Sequence, residues 1–337
     1  MATSDTVPVS VIVVNYNGGA HVLRCLRCLA AQRPPPERII VIDNASTDGS
    51  AAAARKLVAE DGRLASRAVF HDAAANLGFA AANNLAVSMC ATEFVALLNP
   101  DAFPAPDWLA ALVAAARRHP EAAAFGSRQM LAERPDRLDG VGDAYHVSGL
   151  SWREGHGCLP TPADDREREI FSPCAAAALY RRDAFLEVGG FDDDFFCYFE
   201  DVDLGFRLRL AGSSAWYVPE AVVWHQGGGS AKGENAGFSV YYGHRNLVWC
   251  FVKNMPAQLF YPLLITHLSQ TILSLVFHVT RGHLRSIVRS KWHAIQGLPK
   301  TWRKRRSIQS RRRASAWTIW RSLHKGLTRR RCPESPR

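Results

Sequence analysis

The sequence predicts an α/β protein with a mostly parallel central sheet flanked by helices, and an amphipathic helical extension at its C-terminal end. Three observations predict it. Short apolar runs rich in β-branched residues recur through the first hundred positions, each followed by a segment of helical spacing. The runs are apolar throughout rather than alternating, as strands covered on both faces are. The last quarter of the chain changes character and becomes amphipathic and strongly basic.

Taken in order, residues 9–14 form the first strand and 21–32 the first helix. Residues 38–42 form the second strand, followed by the turn and helix-cap cluster Asn44-Ala45-Ser46-Thr47-Asp48 and an Ala-rich helix over 51–60. A third strand (67–70), a helix (79–90), a fourth strand (93–98) and a helix (107–118) ending before Pro120 complete this series. Between 125 and 174 Gly, Pro and charged residues dominate. The stretch reads as a long functional loop region, because regular structure resumes after it. A strand over 175–180, a helix over 200–210 stopped by Gly212 and a short strand over 221–224 follow.

With 337 residues, 47% of them apolar, the chain can bury one large core plus an appendage. A mean hydropathy of −0.11 excludes a polytopic membrane protein. Residues 281–337 carry 18 Lys/Arg and one acid, Glu334, a formal charge of +17. The chain total is +10, so the remainder is net acidic at −7. Such a tail reads as an anchor for an anionic membrane surface. Nucleic acid is not the expected partner, since no reading module accompanies the charge.

Between Lys253 and Arg281 there is no formal charge. His267, Gln270, Thr271, Ser274 and His278 share one helical face, and Leu264, Leu268, Ile272, Leu275, Val276 and Val279 the other. That pattern fits a helix lying in the membrane interface better than one spanning it. The expected division is a catalytic body over 1–250 and a basic, membrane-associating tail over 251–337. Eight scattered cysteines show no disulfide framework, so the expected setting is reducing: cytoplasmic, peripheral on the inner face of the cell membrane.

Ligands of open parallel sheets bind beyond the carboxyl ends of the strands. The residues there are Asn15 and Asn17, Asp43, Asn76 and Gly78, and Asn99 and Asp101. Four polar strand ends in succession predict a polar ligand lying across the sheet edge. Asp43 has two readings: a cap for the following helix with Ser46 or Asp48, or an acceptor for a nucleotide base or ribose. Asp101 reads as a turn aspartate after Pro100, or as an oxygen ligand for Mg²⁺ or Mn²⁺.

Glu200-Asp201-Val202-Asp203 places three carboxylates at the start of a helix, where the macrodipole favours them. The aromatic run before them predicts partial burial, which raises a carboxylate's pKa and makes it a competent general base near neutral pH. His225 closes a strand ahead of Gly227-Gly228-Gly229. It reads as a structural histidine or as a metal ligand beside a backbone that could approach a phosphate.

In order over about 250 residues, these pieces resemble glycosyltransferase family 2, and most closely its rhamnosyltransferase-like branch. The pieces are the strand ending Val14-Asn15-Tyr16-Asn17, the block Asp43-Asn44-Ala45-Ser46-Thr47-Asp48-Gly49-Ser50, Asn76-Leu77-Gly78-Phe79-Ala80, Leu97-Leu98-Asn99-Pro100-Asp101, Gly189-Gly190-Phe191-Asp192, Glu200-Asp201-Val202-Asp203, and Trp224-His225. The resemblance implies a GT-A nucleotide-sugar-binding fold and inverting transfer of a sugar from a nucleotide diphosphate to an acceptor hydroxyl.

It further implies Asp201 as base, with Glu200 orienting the acceptor or Asp201. Asp101 and His225 would be ligands of Mg²⁺ or Mn²⁺, and Asn15, Asn17, Asp43, Asn76, Gly78 and Asn99 would belong to the donor site. The branch favours dTDP-L-rhamnose, with UDP-hexoses as the alternative, and a lipid-linked saccharide or cell-surface glycan as acceptor. One departure stands out: the family's D-x-D is here Asn99-Pro100-Asp101, so metal binding rests on Asp101, the donor diphosphate and His225. A nucleotidyltransferase would show a basic, Gly-rich phosphate loop near the N-terminus. Here Asn15-Tyr16-Asn17-Gly18-Gly19 is followed by no Lys or Arg until Arg24. A non-catalytic membrane- or nucleic-acid-binding protein would leave the ordered carboxylates unexplained.

Overall fold

Alternate residues of the first strand enter two different cores. In β1 (Val7–Asn15), Val9, Val11 and Val13 join one apolar cluster, while Ile12 and Val14 join a second on the opposite face. β2 (Pro36–Asp43) divides in the same way, with Ile39 and Val41 against Ile40 and Ile42. A strand covered on both sides has no polar face to show, which is why these runs are continuously apolar. The structure is a computed structural model that describes residues 6–227, 236–326 and 332.

The first cluster is covered by α1 (Gly19–Ala30), α2 (Ser50–Glu60) and, after the short α3 (Gly62–Ala65) and β3 (Ala68–Asp72), by α5 (Trp108–Arg118). The second is covered by α4 (Gly78–Ser88), α6 (Arg182–Glu187) and α7 (Glu200–Leu210). The remaining strands are β4 (Phe94–Leu98), β5 (Ala102–Pro104), β6 (Ala122–Leu131), β7 (Arg134–Gly140), β8 (Asp143–Tyr145), β9 (Ser151–Arg153), β10 (Arg168–Ile170), β11 (Ala177–Arg181) and β12 (Ser214–His225).

The main sheet runs β10-β12-β6-β11-β4-β1-β2-β3, with β5 on β12 and β7 on β6. The parallel block expected from the first hundred residues is β3-β2-β1-β4. Beyond it the sheet is mixed. β11 runs antiparallel to both β4 and β6, and a second parallel pair, β6 with β12, follows.

Two expectations are corrected. Residues 125–174 are not chiefly loop: they contain most of β6, the whole of β7 and β10, and the β8–β9 hairpin. Three of these strands have three residues each, too few for any alternation to register in the sequence. The absence of disulfides is corrected too. Cys158 and Cys332 are bonded with Cα atoms 4.8 Å apart, joining points separated by 174 positions, a pairing no local spacing announces. Cys25, Cys28, Cys90, Cys174, Cys197 and Cys250 are free.

The C-terminal helices are α8 (Ala236–Asn254), α9 (Ala257–Thr280), α10 (Leu284–Gln296), α11 (Leu298–Ser310) and α12 (Ala316–Ser322). They pack on the body through a third core, in which Cys250, Phe251, Met255, Phe260 and Ile319 meet Tyr145, Phe171, Phe195 and Phe206. α7 is thereby enclosed on all sides. Leu204 and Leu208 face the sheet, while Val202, Phe206 and Leu210 face the third core.

Candidate functional site

The loops after β1 and β2 are knitted by side chains. In-register pairing sets Asn15 opposite Asp43. Asn15 Nδ2 is 3.1 Å from Asp43 Oδ1, 3.1 Å from Ser46 Oγ and 2.9 Å from Ser50 Oγ. Asp43 Oδ2 accepts from Ser46 N–H at 3.2 Å, which closes the 43–46 turn but does not cap the following helix, whose N-cap residue is Gly49 with no side-chain cap. Asn17, in the left-handed region (φ 52°), donates its N–H to Ser46 Oγ and accepts from Thr47 N–H at 2.7 Å. Asp48 accepts from Gly19 N–H at 2.9 Å. Its hydrogen bond from Ser50 holds its carboxyl below the usual range. The third loop attaches through Asn44: its Nδ2 donates to Asn76 Oδ1 and its Oδ1 accepts from Leu77 N–H, both at 2.9 Å.

Asp101 and His225 are brought together by strand pairing. β5 runs antiparallel to β12 with Ala102 opposite His225, and Asp101 C=O accepts from Gln226 N–H at 2.9 Å. His225 Nε2 lies 3.3 Å from Asp101 Oδ1, and His225 Nδ1 lies 2.8 Å from Asp139 Oδ2. Burial disfavours the imidazolium, but hydrogen bonds to Asp101 and Asp139 win and raise its pKa to about 9. Burial likewise opposes ionisation of Asp101, and His225 outweighs it, holding the carboxyl below the usual range. Of the glycines after His225, Gly227 is described; Gly228 and Gly229 lie outside the described residues.

Among the described residues no group of three or more His, Cys, Asp or Glu is arranged to hold a metal ion. Asp101 with His225 becomes a two-donor set, one carboxylate oxygen and one imidazole nitrogen, when a cation displaces the proton that His225 Nε2 otherwise shares with Asp101. Asp139 fixes the far ring nitrogen, as carboxylates do behind metal-bound histidines.

Asp201 sits at the start of α7, partly buried. Its Oδ2 accepts from Ala175 N–H at 3.1 Å and its Oδ1 from Val202 N–H at 2.8 Å. Burial pushes its pKa up against the pull of those two hydrogen bonds. Glu200 is buried, and burial plus the charge of Asp201 push its pKa well up; its Oε2 has no hydrogen-bond partner among the described residues. The next residue in the turn, Ala176, accepts Asn99 N–H through its carbonyl at 2.9 Å. The 174–176 turn therefore holds both Asp201 and the Asn99-Pro100-Asp101 loop. Asp203, the third acid of the cluster, is structural. It is fully buried and bonded to Arg207 and Lys253 at 2.8 Å each and to Asn254 at 2.7 Å.

The loop before Glu200 is strained: Phe196, Tyr198 and Phe199 all have φ between 64° and 70°. Two residues of α8 hold it. Arg245 donates to Asp194 and Phe195 carbonyls, and Asn246 Nδ2 lies 2.7–2.9 Å from the carbonyls of Phe195, Cys197 and Tyr198. On the other side Phe196 C=O accepts from Ala80 N–H, just beyond Gly78.

Sequence reasoning missed this clamp. It also missed Asp139, Asp143 and Arg153, all within the segment read as loop. Arg153 pairs with Asp139 and stands opposite Asp143 in the β8–β9 hairpin. Asp143 is buried, and burial and then the Asp201 charge raise its pKa. No local spacing joins them, since Asp139 and Asp143 precede Arg153 by 14 and 10 positions.

The signature of "Glycosyl transferase family 2" matches residues 10–189. An N-acetylglucosaminyl-diphospho-decaprenol L-rhamnosyltransferase of Mycobacterium tuberculosis is 31% identical over 246 residues, covering 66% of this chain and 76% of that protein. Among solved structures, S. aureus TarS in complex with UDP-GlcNAc aligns with a TM-score of 0.57 at 15% identity, over 94% of this chain and 92% of that one. Mannosyltransferase PcManGT from Pyrobaculum calidifontis, in complex with GDP-Man and Mn²⁺, aligns at 0.55 and 20%, over 90% and 84%. At these identities the structures speak to the fold, which is GT-A. With a matching signature across the parallel block, a relative of this identity and carboxylates gathered at the strand ends, the chain is a glycosyltransferase and belongs to glycosyl transferase family 2.

Proposed function

We propose that the chain moves L-rhamnose from dTDP-L-rhamnose, with inversion, onto a hydroxyl of a lipid-linked saccharide in cell-envelope polysaccharide synthesis, on the cytoplasmic face of the membrane. The observation that carries the reading is the 174–176 turn, which ties Asp201 and the Asp101 loop to one scaffold. An inverting transfer needs one base at the acceptor hydroxyl and a charge-stabilising site at the leaving diphosphate, and the bonds of Asp201 and of the Asp101 loop to this turn support assigning those two roles to them. The mycobacterial relative, an N-acetylglucosaminyl-diphospho-decaprenol L-rhamnosyltransferase, supports the donor and acceptor class.

Asp201 takes the acceptor proton, and burial, by raising its pKa, makes it a stronger base than a free aspartate. Glu200 orients the acceptor beside it. Asn15, Asn17 and Asp43 line the nucleoside end, with Asn76, Gly78 and Asn99 toward the sugar and diphosphate. Asp101 and His225 would hold Mn²⁺ or Mg²⁺, a cation that when bound neutralises charge on the leaving diphosphate. The two-donor set fits such an ion, because phosphate oxygens of the donor supply further ligands.

The test is a panel of dTDP-L-rhamnose, UDP-hexoses and GDP-mannose, read by thermal stabilisation with and without Mn²⁺ and by the anomeric configuration of the product. Stabilisation by dTDP-L-rhamnose above the others and an inverted product are expected. Preference for a UDP-hexose would overturn the donor, and a retained configuration would overturn the mechanism.

A further inference from the structure

The amphipathic helix of the sequence is mounted inside out. The polar stripe of α9 turns inward: His267 is buried, bonds Ser148 C=O at 2.9 Å and stacks on Phe251, and His278 Nε2 meets His244 Nε2 at 2.8 Å. The apolar side faces outward. Ile265 is 75% exposed, Leu273 70% and Ile272 61%, with Leu268 and Val276 beside them. α10, packed on α9, adds exposed Val288 and Trp292 one turn apart. An apolar surface of this extent is not left in water without a partner.

We infer that the outer face of α9 and α10 is a monotopic docking surface for a bilayer rich in anionic phospholipid. The inference deepens the proposed function and rests on it for the orientation of the acceptor. Charge selects the partner. No Asp or Glu occurs from position 235 to 333, and Arg281, Arg285 and Arg289 stand exposed beside the apolar face. Lys300, Lys304 and Arg313 are occupied otherwise, bonding Asp194, Asp192 and Glu187 of the body. A second copy of so uniformly basic a face would be repelled.

Geometry selects lying over spanning. α9 has 24 residues, about 36 Å of helix, long enough to cross a bilayer. Yet both of its ends return to the same body. Arg305 of α11 bonds the carbonyls of Val252 and Met255 ahead of α9, and α10, directly after it, packs against α8. A spanning helix would put α8 and α10 on opposite sides of the membrane.

The test uses the full-length chain and flotation with vesicles of phosphatidylcholine alone and of equimolar phosphatidylcholine and phosphatidylglycerol. Salt-sensitive binding to the mixed vesicles is expected, with partitioning cut more than about tenfold by Ile272→Asp with Val276→Asp. Tm, elution volume and transfer to a soluble acceptor should be unchanged. Wild-type flotation by the double variant would overturn the inference. So would wild-type protein that ignores both vesicles, or a wild-type dimer that the variant dissolves. Donor-induced thermal stabilisation, read on the same samples without vesicles, reports separately on the proposed function.

Discussion

Asp139 reaches His225 Nδ1 at 2.8 Å, so that the ring's other nitrogen is aimed at Asp101. A buried carboxylate behind a ligating imidazole fixes ring orientation and basicity, and removing one typically weakens metal binding 10–100-fold. Asp139→Asn should therefore raise the Mn²⁺ concentration needed for half-maximal transfer by roughly 10–100-fold. Thermal unfolding checks that the variant, which also loses the charge facing Arg153, stays folded. An unchanged Mn²⁺ requirement would detach Asp139 from the metal.

Asp201→Asn keeps the shape but offers one acceptor oxygen to the two N–H groups of Ala175 and Val202, and it cannot take a proton. Turnover should fall by about 10²–10⁴-fold, with donor affinity little changed. A folded pKa raised above the unfolded one means that ionisation opposes folding at pH above both values. The penalty fades as pH falls through the folded pKa. Removing the ionisable group should abolish the part of the pH dependence of Tm that this penalty causes, read by calorimetry across the carboxylate range.

The same raised pKa sets the pH profile. A base held above the ordinary carboxylate range, about 4, is already protonated where a free aspartate is still ionised. The acid limb of kcat/KM should accordingly fall off above the pH expected of an unperturbed aspartate. Acid limbs at an ordinary carboxylate pH would point away from Asp201 as the base.

How much of this was legible depends on whether one residue or a pairing carries the information. The β1 to β4 block and α7 could be read directly, since burial on both faces writes itself into apolar runs and α7 opens on its acidic turn. Asp101 and His225 could be singled out as types, but their contact depends on β5 pairing with β12. Asp143 and Arg153 could not be read, because the three-residue strands β8 and β9 leave no periodic trace, and Asp139 lies in β7, whose charged sequence shows no apolar alternation. The inward polar stripe of α9 was correctly separated from its apolar one. Which stripe met the protein was decided by buried partners such as Ser148 and Phe251, far away in sequence.

The Cys158–Cys332 bond makes the compartment testable. A reducing cytosol would keep this pair as thiols. Alkylation of freshly lysed cells without reductant, followed by intact-mass measurement, should label all eight cysteines if the chain works in the cytosol. Six labels would place it in an oxidising compartment and sink the cytosolic assignment.

Gly78 tests whether the donor loops and the base are coupled. Its φ of 79° disfavours any side chain, and a Cβ there would lie 2.4 Å from the Phe196 ring and 2.7 Å from Phe196 C=O. Backbone cannot yield as a flexible side chain can, so Gly78→Ala must displace the strained 196–199 segment and break the Ala80 N–H to Phe196 bond. The cost should be about 1–3 kcal/mol in stability. Turnover should fall as well, because that segment leads directly into Glu200 and Asp201. Asn246→Ala loosens the same segment from its α8 side without touching a donor loop. If presentation of the base is what matters, both variants lower kcat, while only Gly78→Ala also raises the donor KM. Wild-type kcat in Asn246→Ala at an unchanged Tm would mean that the α8 clamp does not position Asp201.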